Sequence, residues 1–439
     1  MARVNSHTLF VLFPPNFFCA VNQDDSTTAT FNKNIALAGD SLIQQLLRTL
    51  FSQVQLPDVK HFKPYSDNFV CNIPSRSGKF NMLHSEIWYQ SKEMSTALIQ
   101  ADGVEDLDDI PVVVLLGVSG AGKTRTAYDV AKSRYTVYFE ATTNHSMDLS
   151  QAIKEMMAAK LQIPPPEDLT QIAESQDKFE LDCAQIAQRL MLARVLTLLL
   201  LNLSGKVTTP SDWLLAQLNW GGTVSLQVFN ILAGLIATNS FSHALGTSLK
   251  ICRTLFSKKL MVITDEAHLL LHELPGAFRR PSYKTRPAAD TYSPQKGIKE
   301  AQRRAFLSFW VVLLRTLPLL PIVCGTALRL RHLELIRSAA GRADKAPIVV
   351  KDFPFLDLSK VEAILRFHFD LDGISDREVQ RIARELTGVF GSYYFCYYLL
   401  ILPKGEREHF MNLSQEWQTK ALAWRFQGQM HDLPCWIAN

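Results

Sequence analysis

Apolar and polar positions along this chain change period several times, and the changes mark out its elements. Short runs at Val112–Leu116, Leu260–Thr264, Leu319–Thr326 and Pro347–Lys351 are nearly continuous in apolar residues, and Tyr135–Glu140 is β-branched and aromatic. Runs of this kind read as strands of a parallel sheet, buried on both faces. Helical spacing lies between them. In Ile35–Val54 a stripe is kept by Leu42, Ile43, Leu46, Leu47 and Leu50, and helices are also predicted over Thr124–Arg134, Met147–Leu161, Phe179–Leu203, Ala305–Leu317 and about Leu330–Ala339. Strand, helix and strand at this spacing form a βαβ unit. The fold class expected is therefore α/β, a parallel sheet flanked by helices.

Punctuation sets the boundaries. Residues 1–105 form an N-terminal region with no readable role, ending in an acidic linker at Asp102–Asp109. A core over 106–358 carries a helical insertion at about 145–250 and a basic loop at 274–304. Residues 359–439 form a small helical lid and tail, with helices from Ser359 and Ser375, each followed three positions later by Glu362 or Glu378. In the insertion, Pro164–Pro166 break one helix, and Ser211 or Asp212 suits the cap of another.

Composition narrows the class. Hydrophobic residues make up 47% and charged residues 20%, a globular balance, and a net charge of +4 over 439 residues excludes a globally basic nucleic-acid binder. Seven cysteines in no CxxC spacing indicate neither a zinc site nor a disulfide framework, which suits reduced thiols in the cytoplasm or nucleus. Leu190–Leu203 is interrupted by Arg194, Thr197 and Asn202, so a buried helix is expected and no transmembrane segment. The N-terminal apolar run is broken at Pro14–Pro15 and falls short of a secretory h-region of about 7–15 residues.

The chemistry begins after the first strand. Gly117, Val118, Ser119, Gly120, Ala121, Gly122, Lys123, Thr124 and Arg125 contain the complete GxxxxGK(S/T) pattern, the phosphate loop of P-loop NTPases. The glycines free the backbone for successive N–H groups to converge on phosphate oxygens at a helix N-terminus. Lys123 brings a compact charge to the β and γ phosphates, and the Thr124 hydroxyl is placed to ligate Mg²⁺. ATP and Mg²⁺ are the cofactors expected.

The strand Leu260–Thr264 runs into Asp265-Glu266-Ala267-His268. An apolar run ending in Asp-Glu is a weak motif alone and a strong one downstream of a phosphate loop. Asp265 is positioned to hold Mg²⁺ through its water shell, and Glu266 to orient or deprotonate the attacking water. Thr326, at the end of the next strand, is either a polar sensor of the γ-phosphate or a turn residue. Arg337 and Arg342 precede the fifth strand and are candidates for an arginine completing a neighbour's site in a homo-oligomer.

The basic loop bears Arg279, Arg280, Lys284, Arg286, Lys296, Lys299, Arg303 and Arg304, with Tyr283 and Tyr292 between them. A nucleic-acid surface over 279–304 is one reading, and a solvated insertion is the plainer one.

Taken together, the loop at Gly117, the strand end at Asp265-Glu266, Thr326 and the helical tail resemble an AAA+/STAND-like P-loop ATPase. More narrowly, the loop with Tyr138-Phe139, Thr209-Pro-Ser-Asp-Trp213, Thr264-Asp-Glu-Ala267 and Cys324-Gly-Thr-Ala-Leu328 is similar to the NTPase module of Crinkler-type effector proteins. That resemblance implies a module between a trafficking header and a toxin domain, and secretion into a host cell. The chain departs from the plan: its first residues show no header motif, the stretch after Pro403 is too short for a nuclease or kinase, and Gly388-Val-Phe-Gly391 stands where the lid's arginine motif is expected, with Arg381 and Arg384 nearby.

The function expected is Mg-dependent ATP binding and hydrolysis driving a conformational switch. The alternatives are a nucleotide-gated switch without turnover and a nucleic-acid-dependent ATPase. A helicase would need a second RecA-like domain, and a small-molecule kinase an acceptor site the sequence does not name.

Overall fold

The computed structural model describes residues 23–57, 92–104, 110–117, 123–141, 146–162, 168–220, 222–280, 284, 286–325, 347–351, 353, 358–368 and 375–385. Two compact units divide the chain, the larger carrying nearly all of the residues up to 353.

In chain order the larger unit contains α1 (Asp25–Asn34), α2 (Ser41–Gln53), α3 (Lys92–Asp102), β1 (Val113–Leu115), α4 (Lys123–Ser133), β2 (Thr136–Glu140), α5 (Met147–Leu161), α6 (Leu169–Leu203), α7 (Pro210–Trp220), α8 (Thr223–Leu235), α9 (Phe241–Phe256), β3 (Met261–Asp265), β4 (Phe278–Arg279), α10 (Ala288–Thr291), β5 (Tyr292–Ser293), β6 (Gly297–Ile298), β7 (Arg303–Arg304), α11 (Phe306–Arg315), β8 (Leu320–Cys324) and β9 (Ile348–Val350).

The five predicted strands pair into one all-parallel sheet in the order β2-β3-β8-β1-β9, flanked by helices. Burial explains their unbroken apolar character: every residue of β1, β3 and β8 is buried. The order matters for function. The chain leaves β1 toward β2 at one edge and leaves β8 toward β9 at the other, so the neighbouring carboxyl ends of β1 and β8 form a topological switch point, where α/β sheets open a crevice.

In chain order a helical layer, α5 to α9, is inserted between the paired strands β2 and β3. Its spine, α6, is 35 residues long and begins well before the predicted Phe179, because the Asp168 side chain accepts a hydrogen bond from the Gln171 N–H and starts the helix there. Leu190–Leu201 is buried on every side, as the sequence implied. By length and apolarity α6 is able to cross a membrane, but 78% of its most apolar window is buried inside the fold. Arg194, the charge within that run, forms an ion pair with Asp148 while both side chains are buried. The Ser225 hydroxyl also donates to Asp148, at 2.6 Å.

The N-terminal helices belong to this layer. Phe31 stacks on Phe51 at 4.0 Å, the Asn34 amide donates to the Leu203 carbonyl at 3.0 Å, and α1 and α2 share one apolar core with α6, α8 and α9. The helix predicted over Ile35–Val54 is broken: Gly39 turns the chain at a φ of +66°, and Asp40 recaps α2 by accepting from the Ile43 N–H.

At α7 the cap differs from expectation. Thr209, rather than Ser211 or Asp212, is the N-cap: its hydroxyl accepts from the Asp212 N–H at 3.1 Å, while Asp212 accepts from the Thr209 N–H at 2.9 Å. This is a capping box with Pro210 at the first helical position.

The basic segment is folded, with two small antiparallel ribbons, β4–β7 and β5–β6. Arg279 is buried and turned inward, pairing with Glu180 and Asp177, and Arg304 is also buried. Arg303 donates to the Ile298 and Lys296 carbonyls. Lys284, Arg286, Lys296 and Lys299 face outward.

In the second unit two described helices, Leu358–His368 and Asp376–Glu385, are joined by Arg366, which binds both Glu362 and Asp376. Ser375 and Glu378 form the predicted capping box. Glu362 has another use than the predicted cap, since Leu358 already lies within the first helix and Glu362 pairs with Arg366 one turn on. Arg381 and Arg384 are exposed.

Candidate functional site

The site assembles at the carboxyl ends of β1, β3 and β8. Gly117 follows β1, and α4 opens on Lys123 and Thr124. The Lys123 ammonium donates to the Gly117 carbonyl at 2.8 Å, folding the side chain back across the loop's base. Burial lowers the Lys123 pKa, and the nearby Glu266 carboxylate, followed by Cys324 and Asp265, opposes that shift. The neighbouring Thr124 hydroxyl donates to Asp265 Oδ2 at 2.8 Å.

Asp265 is the hub. Besides Thr124, its Oδ2 accepts from the Tyr138 hydroxyl at 2.9 Å. Its Oδ1 accepts from its neighbour's backbone, the Glu266 N–H, at 2.9 Å and from the Cys324 thiol at 3.0 Å. Parallel register explains the convergence, because β3 lies between β2 and β8 and the ends of the three strands are level. Tyr138 and Cys324 remain donors at neutral pH: burial first, then neighbouring groups including Asp265, pushes the phenol and the thiol well above their ordinary values.

Beyond Asp265 the chain turns sharply. Glu266 has a φ of +49°, a left-handed backbone uncommon for a non-glycine residue and costing on the order of 1 kcal/mol or more. Its carboxylate lies 3.1 Å from His268 Nδ1, which is buried and off the axis of a hydrogen bond. The end of β8 presses on this turn. The Ala267 N–H donates to the Cys324 carbonyl at 2.8 Å, and a Cβ at Gly325 would come within 3.1 Å of His268 Nδ1. From the far side the Trp310 indole of α11 donates to the Thr264 hydroxyl at 3.0 Å and sets β3.

Of the residues predicted from sequence, Gly117, Lys123, Thr124, Asp265 and Glu266 come together here, and Arg125 lies in the first turn of α4. Val118, Ser119, Gly120, Ala121, Gly122 and Thr326 lie outside the described residues, as do Arg337, Arg342 and Gly388–Gly391. Sequence reasoning missed the roles of Tyr138, Cys324 and His268. Tyr138 and Cys324 sat unassigned in the motifs Tyr138-Phe139 and Cys324-Gly-Thr, where a polar atom within an apolar strand was the available signal.

Among the described residues no group of three or more His, Cys, Asp or Glu side chains is placed to hold a metal. A Mg²⁺ that also binds phosphates takes only one or two protein ligands, and the Thr124 hydroxyl beside the Asp265 carboxylate is a pair of that type. The residues present therefore fit the ion. A separate cavity of about 30 Å³, lined by Glu180, Phe278, Arg279, Lys284, Arg304 and neighbours, includes none of the site residues.

Comparison with known proteins finds no matching family model, no matching curated protein and no matching solved structure.

Proposed function

We propose that this chain binds a nucleoside triphosphate, ATP in the first instance, with Mg²⁺ and hydrolyses it to drive a conformational switch, as a P-loop NTPase of AAA+/STAND-like type. The observation that carries the reading is the Thr124–Asp265 hydrogen bond of 2.8 Å, which ties the start of α4, after β1, to the carboxyl end of β3. It joins the last residue of the phosphate-loop pattern to the carboxylate of a second motif.

The chemistry expected follows from these side chains. Lys123, the buried lysine of the loop pattern, offsets the charge of the β and γ phosphates. Mg²⁺, when bound, would neutralise phosphate charge, with Thr124 and Asp265 as its holders. Glu266 orients water or takes its proton, and Thr326 contacts the γ-phosphate at the end of the next strand. The sequence motifs favour a Crinkler-type module, with secretion into a host cell and action in its cytoplasm or nucleus. Assembly into a homo-oligomer, with Arg337 or Arg342 reaching a neighbour's site, belongs to the same reading.

A second reading is a nucleotide-gated switch without turnover. It is favoured by the placement of Glu266, whose carboxylate lies 3.1 Å from His268 Nδ1 on a left-handed backbone turn. One experiment separates the two: nucleotide binding and phosphate release measured on the same protein, with and without DNA or RNA. Binding with release supports the hydrolase, release only with nucleic acid supports the nucleic-acid-dependent ATPase, and binding without release supports the gated switch.

A further inference from the structure

The helical layer reaches the Asp265 carboxylate through one strand. β2 is the edge strand of the sheet. Its exposed backbone edge is taken up by side chains of α7: Gln217 Oε1 accepts from the Tyr138 N–H at 2.8 Å, and Gln217 Nε2 donates to the Thr136 carbonyl at 2.8 Å. The Trp213 indole donates to the same carbonyl, also at 2.8 Å. One glutamine amide thus makes both bonds that a neighbouring strand would make. Gln217, Trp213 and Tyr138 are all buried, so these bonds are shielded from water. Tyr138, held in this way, turns its hydroxyl onto Asp265 Oδ2 at 2.9 Å.

We infer that Tyr138 is a positioning residue for Asp265 and that α7, through Gln217, sets how tightly the site holds a divalent cation with its nucleotide. The inference rests on the Mg-nucleotide reading of the site. Oδ2 carries two hydroxyls, from Thr124 and from Tyr138. When the Thr124 hydroxyl turns to a cation, Tyr138 is the remaining side-chain donor that keeps Oδ2 in orientation. A displacement of α7 moves the β2 backbone, and the Tyr138 hydroxyl with it. The capping box at Thr209 and Asp212, and Trp213 beside it, then have a use beyond packing: they fix the helix that carries Gln217.

The test is a MgCl₂ titration of fluorescently labelled ATP binding to the full chain, for wild type, Tyr138→Phe, Gln217→Met and the double variant, with thermal melting of each. Removing a partner that orients a metal-binding carboxylate costs about tenfold or more in metal affinity. The Mg²⁺ midpoint is therefore expected to rise about tenfold in Tyr138→Phe and in the same direction in Gln217→Met, with ATP binding in the absence of Mg²⁺ unchanged. Because Gln217 acts through Tyr138, the double variant should be little worse than Tyr138→Phe alone. If wild type needs Mg²⁺ and both variants keep its midpoint while only their melting temperatures fall, the two residues are structural and the inference is overturned. Effects that simply add would overturn the link from α7. If wild type binds no nucleotide at any Mg²⁺ concentration, the reading of the site itself fails and takes the inference with it.

Discussion

The Thr124 hydroxyl donates to the Asp265 carboxylate at 2.8 Å across 141 residues of sequence. Everything between them, α4, β2 and the helical layer, is folded so that the start of α4 and the end of β3 meet. Both residues are held by main-chain geometry, Thr124 by the first turn of a helix and Asp265 by the last position of a buried strand. Such a pair is set before any ligand arrives, which is the condition for tight binding of a charged group.

Replacing Lys123 with Ala removes the ammonium that donates to the Gly117 carbonyl. Mg-ATP affinity is expected to fall at least tenfold, in line with about 1.5–3 kcal/mol for a hydrogen bond to a charged group. Calorimetry checks this, and unchanged affinity would contradict the phosphate-loop assignment.

Glu266→Gln keeps the side-chain shape and leaves the Asp265 bonds in place. Turnover is expected to drop by about 10²–10⁴-fold while ATP binding persists, since only the proton acceptor is lost. The ATP-bound form then accumulates, and light scattering should show whether it assembles. Equal phosphate release by wild type and variant would remove Glu266 from the chemistry.

The Arg194–Asp148 pair predicts a large stability effect. Both side chains are buried, and Arg194 also lies over the Phe139 ring at 4.9 Å. Asp148→Ala leaves a buried cation without its partner, which costs about 3–5 kcal/mol. Gly222→Ala should act on the same pair, because a Cβ there would lie 2.5 Å from Asp148 Oδ1 on a backbone at φ +83°. Urea denaturation of both variants measures the loss.

For the basic segment, the burial of Arg279 and Arg304 and the backbone bonds of Arg303 separate these three from the exposed charges, of which Lys284 also pairs with Glu180 at 3.1 Å. Any salt-dependent binding should respond to Lys284, Arg286, Lys296 and Lys299, the slope falling by about 0.9 for each phosphate contact removed. Arg279→Ala should instead lower the melting temperature. Binding that survives neutralisation of all four outward residues would contradict this division.

Acid should loosen the same ribbon. Burial pushes the Glu180 pKa up, but hydrogen bonds from Arg279 and the charge of Lys284 outweigh it and leave the carboxyl below its usual range. A lowered folded pKa contributes stability above the unfolded value of about 4.3, and this is lost as pH falls through the lower, folded value. Melting temperature followed through that acid range should show less pH dependence in Glu180→Gln than in wild type.

Local pattern was enough for the parts of the fold whose signal is local. Five apolar runs, the Asp-Glu strand end and the buried stretch of α6 were legible because a strand buried on both faces and a core helix each need a composition that few other segments have. Tertiary structure decided the strand order, and with it which strand ends meet. It also decided that Ile35–Val54 breaks at Gly39, that Arg279 points inward, and that Thr209 caps α7. Tyr138, Cys324 and His268 joined the site only through register and through the turn at Glu266, relations between residues far apart in the chain. Hydrophobic periodicity reports which side of an element is buried, whereas the polar group that each buried atom meets depends on the neighbouring element, and no single segment carries that information.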